Sequence, residues 1–353
     1  MEAFSGWNNK MIKRTSIKLA LLALALAGTV AQAVPLVPEK SGWSGYVNLG
    51  VGAGTSESNM LDGIASIDLG KKRISSLEDS PDSEDFVIPA IHFELAYTLG
   101  EAGTQFYAGN QVADYLSFDL ETTLETHLGV RQDIPEIGTV DFSLAASSLP
   151  TDVWKDPYVV DASRGDTERT TLGVHIAWDR IFNTPLELVW SSTEIEIDDE
   201  RSGEALGLKK AEQRLLRREG MVYRLDLNYD WKINERHRLV PGITYLDFNL
   251  DGDAMKEDGL GLQLKYLYQI NRWRVVSEVY YQDLEADTRN PIFSRERQME
   301  TLGASITTFY SKPFGWNNWS ANATLGYQDN DSNIDFYDAS FGLVSIGMLY
   351  RFD

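Results

Sequence analysis

Tyr223-Arg224-Leu225-Asp226-Leu227-Asn228-Tyr229-Asp230-Trp231 alternates without a break. One face carries Tyr, Leu, Leu, Tyr and Trp; the other carries Arg, Asp, Asn and Asp. A period of two is the signature of a strand with one apolar and one polar face. Here the apolar face has aliphatic residues at its centre and aromatic residues at its ends, and the polar face is charged. A soluble sandwich can contain one such strand, so the reading depends on recurrence.

The pattern recurs along the whole chain. Trp43, Val47, Leu49 and Val51 alternate with Ser44, Tyr46, Asn48 and Gly50. Ile91–Leu99, Leu124–Arg131, Val140–Ala145, Thr171–Asp179, Leu260–Gln269, Leu302–Thr307 and Trp319–Gln328 repeat it, with Thr104–Asn110, Pro185–Ser191, Leu239–Tyr245 and Trp273–Gln282 as further strands. The last strand runs through Val344, Ile346, Met348, Tyr350 and Phe352. Its aromatic close resembles the C-terminal signal of outer-membrane proteins, with one Asp added. The total is about 14 strands. Gln111–Asp119 is either an external loop or an extension of its neighbours.

The connections alternate in length. Gly100–Gly103, Pro135–Gly138, Phe182–Thr184 and Ile270–Arg272 are short; Thr55–Asp85, Pro150–Thr167, Asp198–Gly220 and Glu285–Gln298 are long. Tight periplasmic turns and long external loops are the asymmetry of a membrane barrel, and a sandwich has no reason to keep it. The expected fold is all-β: a single antiparallel transmembrane β-barrel over residues 34–353. The register carries its own test. An aspartate at Leu227 should face lipid and hurt folding, whereas one at Asn228 should face a wet lumen and be tolerated.

Composition agrees. Apolar residues make up 43 % of the 353, too few for a helical membrane protein but suited to strands that show lipid only every second residue. The net charge of −21 excludes a nucleic-acid partner, and the absence of Cys excludes disulfides and thiol chemistry. Lys13, Arg14 and Lys18, the apolar run Leu19–Ala27 and Ala31-Gln32-Ala33 have the grammar of a cleavable signal peptide. Residues 1–33 are therefore expected to be an N-terminal extension and leader, with Met11 the better start. Cleavage removes a net charge of +3 and leaves −24.

Ser41-Gly42-Trp43-Ser44-Gly45-Tyr46-Val47-Asn48-Leu49-Gly50-Val51-Gly52, Asn290-Pro291-Ile292-Phe293 and Arg217-Arg218-Glu219-Gly220 together resemble an uncharacterised outer-membrane β-barrel family of marine gamma-proteobacteria, a domain of unknown function. The resemblance implies a barrel in the bacterial outer membrane and assigns no activity, cofactor or site residue.

Candidate functional residues follow from the faces. The lumen side is expected to carry Glu94, Glu125, His127, Arg131, Asp141, His175, Arg224, Asp226, Lys265 and Glu278, with Glu121, Asp230, Glu187, Arg169, Arg238, Arg274 and Arg351. Opposed charges in a water-filled pore set up a transverse field that orients polar solutes; the same charges could instead pair and brace a closed barrel. His92, His127 and His175 sit on strands that run in the same direction, two apart, and read either as a metal or proton-sensing site or as ordinary lumen lining; at roughly 10 Å from one another they are too far apart to share a metal. No metal site is expected. Glu204–Glu219 departs from the strand pattern: Leu208, Ala211 and Leu215 share a helical face, and Lys209, Lys210, Arg214, Arg217 and Arg218 place five cations in an acidic protein. The segment reads as a helical constriction loop at the pore mouth, a contact for lipopolysaccharide phosphates, or a solvated surface helix. The acidic stretch Glu78–Asp85 lacks calcium-loop spacing and reads as solvated.

No nucleophile, base and orienting partner fall into a motif, so an enzyme is not expected, nor is a cofactor. The function expected is a porin-like channel for passive diffusion of small polar solutes, narrowed or gated by external loops. Its partners are outer-membrane lipid, lipopolysaccharide and those solutes. The alternative is a non-transport barrel serving as receptor, adhesin or structural protein. Uptake of apolar solutes fits a charged lumen poorly.

Overall fold

The computed structural model describes residues 36–64, 67–110 and 125–352. The expected leader, the cleavage site, Gln111–Asp119 and Glu121 lie outside them. Among the described residues the barrel strands are β1 Gly42–Ser58, β2 Ser83–Leu99, β3 Thr104–Asn110, β4 Glu125–Ile134, β5 Gly138–Ser147, β6 Asp166–Asp179 and β7 Leu186–Ile197; then β8 Gly220–Tyr229, β9 His237–Leu250, β10 Glu257–Ile270, β11 Trp273–Glu285, β12 Gln298–Ser311, β13 Trp319–Ser332 and β14 Ala339–Phe352. Each pairs antiparallel with its neighbours in sequence. The sheet closes when β14 returns to β1, in register from Gly45↔Phe352 to Ser58↔Ala339. Where β3 pairs with β2 and β4 no edge strand is left, so at that level the backbone groups of the wall are bonded within it, as hydrocarbon requires.

The alternation fixes which way each side chain points. Leu49, Ile91, Leu128, Leu172, Leu262 and Ile346 are exposed on the outside, while Asn48, His92, His127, Thr171, Gln263 and Ser345 are buried inside. This inverts a soluble core, as lipid demands. Aromatic cross-strand pairs ring the outer wall at the short-turn end: Trp43 with Tyr97, Trp273 with Tyr310, and Trp319 with Tyr350, their ring centroids 5.0, 4.7 and 5.1 Å apart. Rings with an apolar body and a polar tip suit the level of the headgroups. The short connections include the two-residue turn Asn271-Arg272, where Asn271 takes φ 52° without the cost that a β-branched residue would meet.

The strands run further toward the long loops than the alternation indicates. A tilted strand crosses the bilayer in about 9–11 residues, whereas these reach 17. Beyond the membrane the polarity pattern inverts. Outward positions become acidic, with Asp247 opposite Asp258 and Asp283 opposite Glu300. Inward positions become apolar, with Phe86, Ile195, Leu246, Leu250, Leu284 and Leu343 buried. A reading that requires apolar residues outside stops at this inversion, although the strands continue.

Candidate functional site: the barrel interior and its loop cap

The interior below the inversion is a set of matched charges. Arg131 on β4 is 1 % exposed. Its guanidinium donates to Glu94 of β2 at 2.7 and 3.2 Å, to Gln105 of β3 at 2.9 Å and to Asp141 of β5 at 3.0 Å, and it lies 3.8 Å above the Tyr107 ring. The Tyr107 hydroxyl donates to Asp141 at 2.7 Å. One arginine thereby ties four adjacent strands together. Across the barrel, Arg224 donates twice to Asp226, which also accepts from Thr244, and Lys265 reaches Glu278 at 3.5 Å. Arg224, Thr244, Gln263, Glu278, Tyr280 and Gln328 surround a cavity of about 30 Å³, room for a water or two.

Glu125, His127 and His175 also meet. The Thr171 hydroxyl donates to Glu125 at 2.9 Å, and His175 Nε2 lies 3.7 Å from Glu125. The rings of His127 and His175 are 5.0 Å apart, edge to face. The strand-to-strand spacing implied about twice that. The difference arises because Ser143 of β5, small and buried between them, lets two long side chains lean together. Among the described residues no group of three or more His, Asp or Glu is disposed to hold a metal ion.

Above the inversion, the long loops fold over the mouth and build a hydrophobic core of their own. Ile74, Tyr158, Leu216, Met255, Ile334, Phe336 and Tyr337 from five connections, with Ile292 and Phe293 of a sixth beside them, pack on Ile195 and Leu250 of the wall. Tyr158 and Phe336 are fully buried. The Tyr158 and Tyr337 hydroxyls share a 2.6 Å hydrogen bond, Asn290 donates to Tyr337 at 2.8 Å, and Arg297 covers the Tyr337 ring while pairing with Glu257. Burial pushes both tyrosine hydroxyls up.

The β1–β2 connection packs against the inside of the wall. Leu61–Ile64 pairs with Ile67–Asp68 and with Thr151–Trp154. Ile64 and Leu69 pack on Phe86 of β2 and Leu343 of β14, inside the wall. Arg164 secures this connection: it stacks on Trp154 at 4.3 Å and donates to the carbonyls of Asn59, Pro157 and Lys71. Burial lowers its pKa to about 10. Asp62 sits where the register shifts between Leu61 and Gly63, a bulge that turns its side chain inward. Burial, with Asp166, Asp68 and Asp152 adding to it against the opposing pull of Lys72, raises its carboxyl to about 6.

The basic segment differs from its expectation. The helix spans Lys210–Arg214 instead of most of Glu204–Glu219. Lys209, Lys210, Arg214 and Arg217 lie exposed on the outside of the cap. Arg218 is buried: it pairs with Glu200 at 2.9 Å and donates to the Trp154 carbonyl. The residue that anchors the segment is Leu216, fully buried, with Leu208 packed beside it. Helical periodicity pointed to Leu208, Ala211 and Leu215, but Ala211 is exposed. Five residues are too few to hold a helix on local propensity, so contacts with Gly252 and Ala254 set the path of Leu215–Arg217.

Of the expected interior residues, Glu94, Glu125, His127, Arg131, Asp141, His175, Arg224, Asp226, Lys265 and Glu278 lie on the inward faces, where they meet in the groups described above. The reading missed the apolar collar and the loop core. Their one signal is aromatic and aliphatic residues within otherwise polar loops: Tyr158, Ile292-Phe293 and Ile334–Tyr337.

A family model described as Protein of unknown function (DUF2860) matches residues 42–351, from the first barrel strand to the last. This chain belongs to that DUF2860 family. No curated protein matches it. Solved structures similar to it in fold include the outer membrane channel DcaP of Acinetobacter baumannii, at 10 % identity over 89 % of this chain and 97 % of that one with TM-score 0.42. A Pseudomonas aeruginosa FadL homologue is 10 % identical over 88 % and 91 %, TM-score 0.43. An anion-selective porin from Comamonas acidovorans is 10 % identical over 89 % and 100 %, TM-score 0.37.

Proposed function

We propose that this DUF2860 member is an outer-membrane channel for small polar solutes, closed at rest by its external loops. The observation that carries the reading is the division of the barrel. A polar interior is capped by a plug built from connections; among the described residues only Thr151–Trp154 of it is laddered to the wall, at Asp166–Arg169, so the core around Tyr158 and Phe336 can open while the barrel stays closed. The rival, a closed structural barrel, draws support from the Arg131 set, which fills its sector with satisfied charges.

Single-channel recording in planar bilayers separates them. Leu216→Ala removes a buried anchor, a change costing about 2–5 kcal/mol in other cores, and should raise the open probability. Replacing Lys209, Lys210, Arg214 and Arg217 together by Gln should leave gating as in the parent, because these side chains point to solvent. If Leu216→Ala folds and stays silent, the rival stands. If the four cations matter and Leu216 does not, the gate is electrostatic and the plug reading fails.

A further inference from the structure

Charges inside this barrel come with partners: Arg131 with Glu94 and Asp141, Arg224 with Asp226, Lys265 with Glu278. Two arginines near the short-turn end break the rule. Arg274, on the inward face of β11, reaches only the Gln269 amide oxygen, at 3.5 Å. Arg351, the inward residue at the end of β14, has no acidic partner at ion-pair distance among the described residues. Arg238 on β9, opposite Leu267, faces the same end of the lumen. Arg238 leans away to Asp230 at 3.2 Å. Three guanidiniums therefore face the short-turn end of the lumen, inside a wall with low-dielectric lipid behind it, in a protein whose total charge is −21.

Beside them lies a small apolar shelf. Phe309 is the direct cross-strand partner of Arg274. It packs with Val276 and Leu267, one rung further in. Arg351 is exposed, and Arg274 is half-buried, so a solute entering from the short-turn end meets the guanidiniums first and the shelf next. Arg274 and Arg351, with no acidic partner among the described residues, favour an anion, and the planar fork of arginine fits a carboxylate at two points.

We propose that this vestibule binds a small organic anion, its carboxylate held by Arg274 and Arg351 with Arg238 behind them, and its apolar body on Phe309 and Leu267. For transport the proposal rests on the channel reading, whose solute class it names; for binding it does not.

Calorimetric titration of the folded protein in detergent micelles with benzoate, and separately with inorganic phosphate, tests it. Benzoate should bind saturably and more tightly than phosphate. Arg274→Gln and Arg351→Gln should each weaken benzoate about tenfold, the scale of one charge-assisted bond. Arg274→Lys, which keeps the charge and loses the fork, should fall between. Arg272→Gln, at an exposed cation in the adjacent turn, should change nothing. Heat-modifiable migration on gels checks that each variant is folded. No saturable benzoate binding by the parent overturns the site, as does equal loss in Arg272→Gln, which would mean diffuse attraction. Phosphate binding as tight as benzoate overturns the role of the shelf. Reversal potentials in a KCl gradient supply the second arm, where Arg274→Gln should reduce anion preference. If benzoate binding depends on Arg274 while neither protein conducts, the channel reading fails and the site stands.

Discussion

Asp62 shows how one residue can couple the cap to its surroundings. Its carboxyl is buried at a bulge, and one of its oxygens has no hydrogen-bond partner in the protein. With a folded pKa of about 6 against an ordinary 3.8, the folded state prefers the protonated form. Its contribution is therefore fully present below about pH 4 and is lost as pH rises through 6. Asp62→Asn, which keeps the shape without the charge, should stabilise the protein at pH 7.5 by about 1–3 kcal/mol and bring no gain at pH 4. Thermal melts of parent and variant across that range measure the difference at each pH. A constant offset between the two curves would show that ionisation of Asp62 is not the cause. The sequence offered no sign of this residue's role: Asp62 stands in a loop rich in acids, and only the bulge and the enclosing loops single it out.

At the level of the strand, alternation assigned the faces of every described barrel strand, and it did so because lipid and lumen impose opposite demands on neighbouring residues. It did not reveal how the inward residues contact each other. Asn228 illustrates the gap. Expected in a wet lumen, it is buried, donating to Glu187 at 3.0 Å and accepting from Gln263 at 2.7 Å. An aspartate there would confront Glu187, so the tolerance expected of that substitution does not follow. A cleaner pair is Leu262 and Gln282, one rung apart on adjacent strands, Leu262 facing lipid and Gln282 the interior. Leu262→Lys should cost about 2–4 kcal/mol of folding stability in lipid. Gln282→Lys, with Glu278 nearby, should cost under about 1 kcal/mol. Urea titrations into lipid vesicles compare them, and equal costs would mean that the register is wrong by one residue.

On the scale of the molecule, barrel and cap are held by different forces. The wall owes its persistence to a closed ladder of backbone hydrogen bonds in a medium where no water competes for them. The cap owes its own to a small hydrophobic core at an aqueous boundary, built from segments far apart in sequence. The two should come apart in order. On heating, near-ultraviolet dichroism from Trp154, Tyr158 and Tyr337 should fade while far-ultraviolet strand signal persists. Phe336→Ala should lower the first transition and leave the second in place, its cost about 3–5 kcal/mol if the cavity fails to collapse. A single transition seen by both probes would instead join cap and wall in one cooperative unit.

Period-two patterning, parity of connection lengths and composition were enough to determine an antiparallel barrel of about fourteen strands and the direction of its side chains. These are local properties, written residue by residue against two solvents of opposite character. Tertiary structure alone decided three other things: that Arg131 is enclosed by four strands, that His127 and His175 come within 5.0 Å, and that six loops close the mouth around Tyr158 and Phe336. Each depends on which distant residues share a height and how far their side chains reach across a curved wall. Alternation fixes neither, because it records the face on which a residue lies and not what stands opposite.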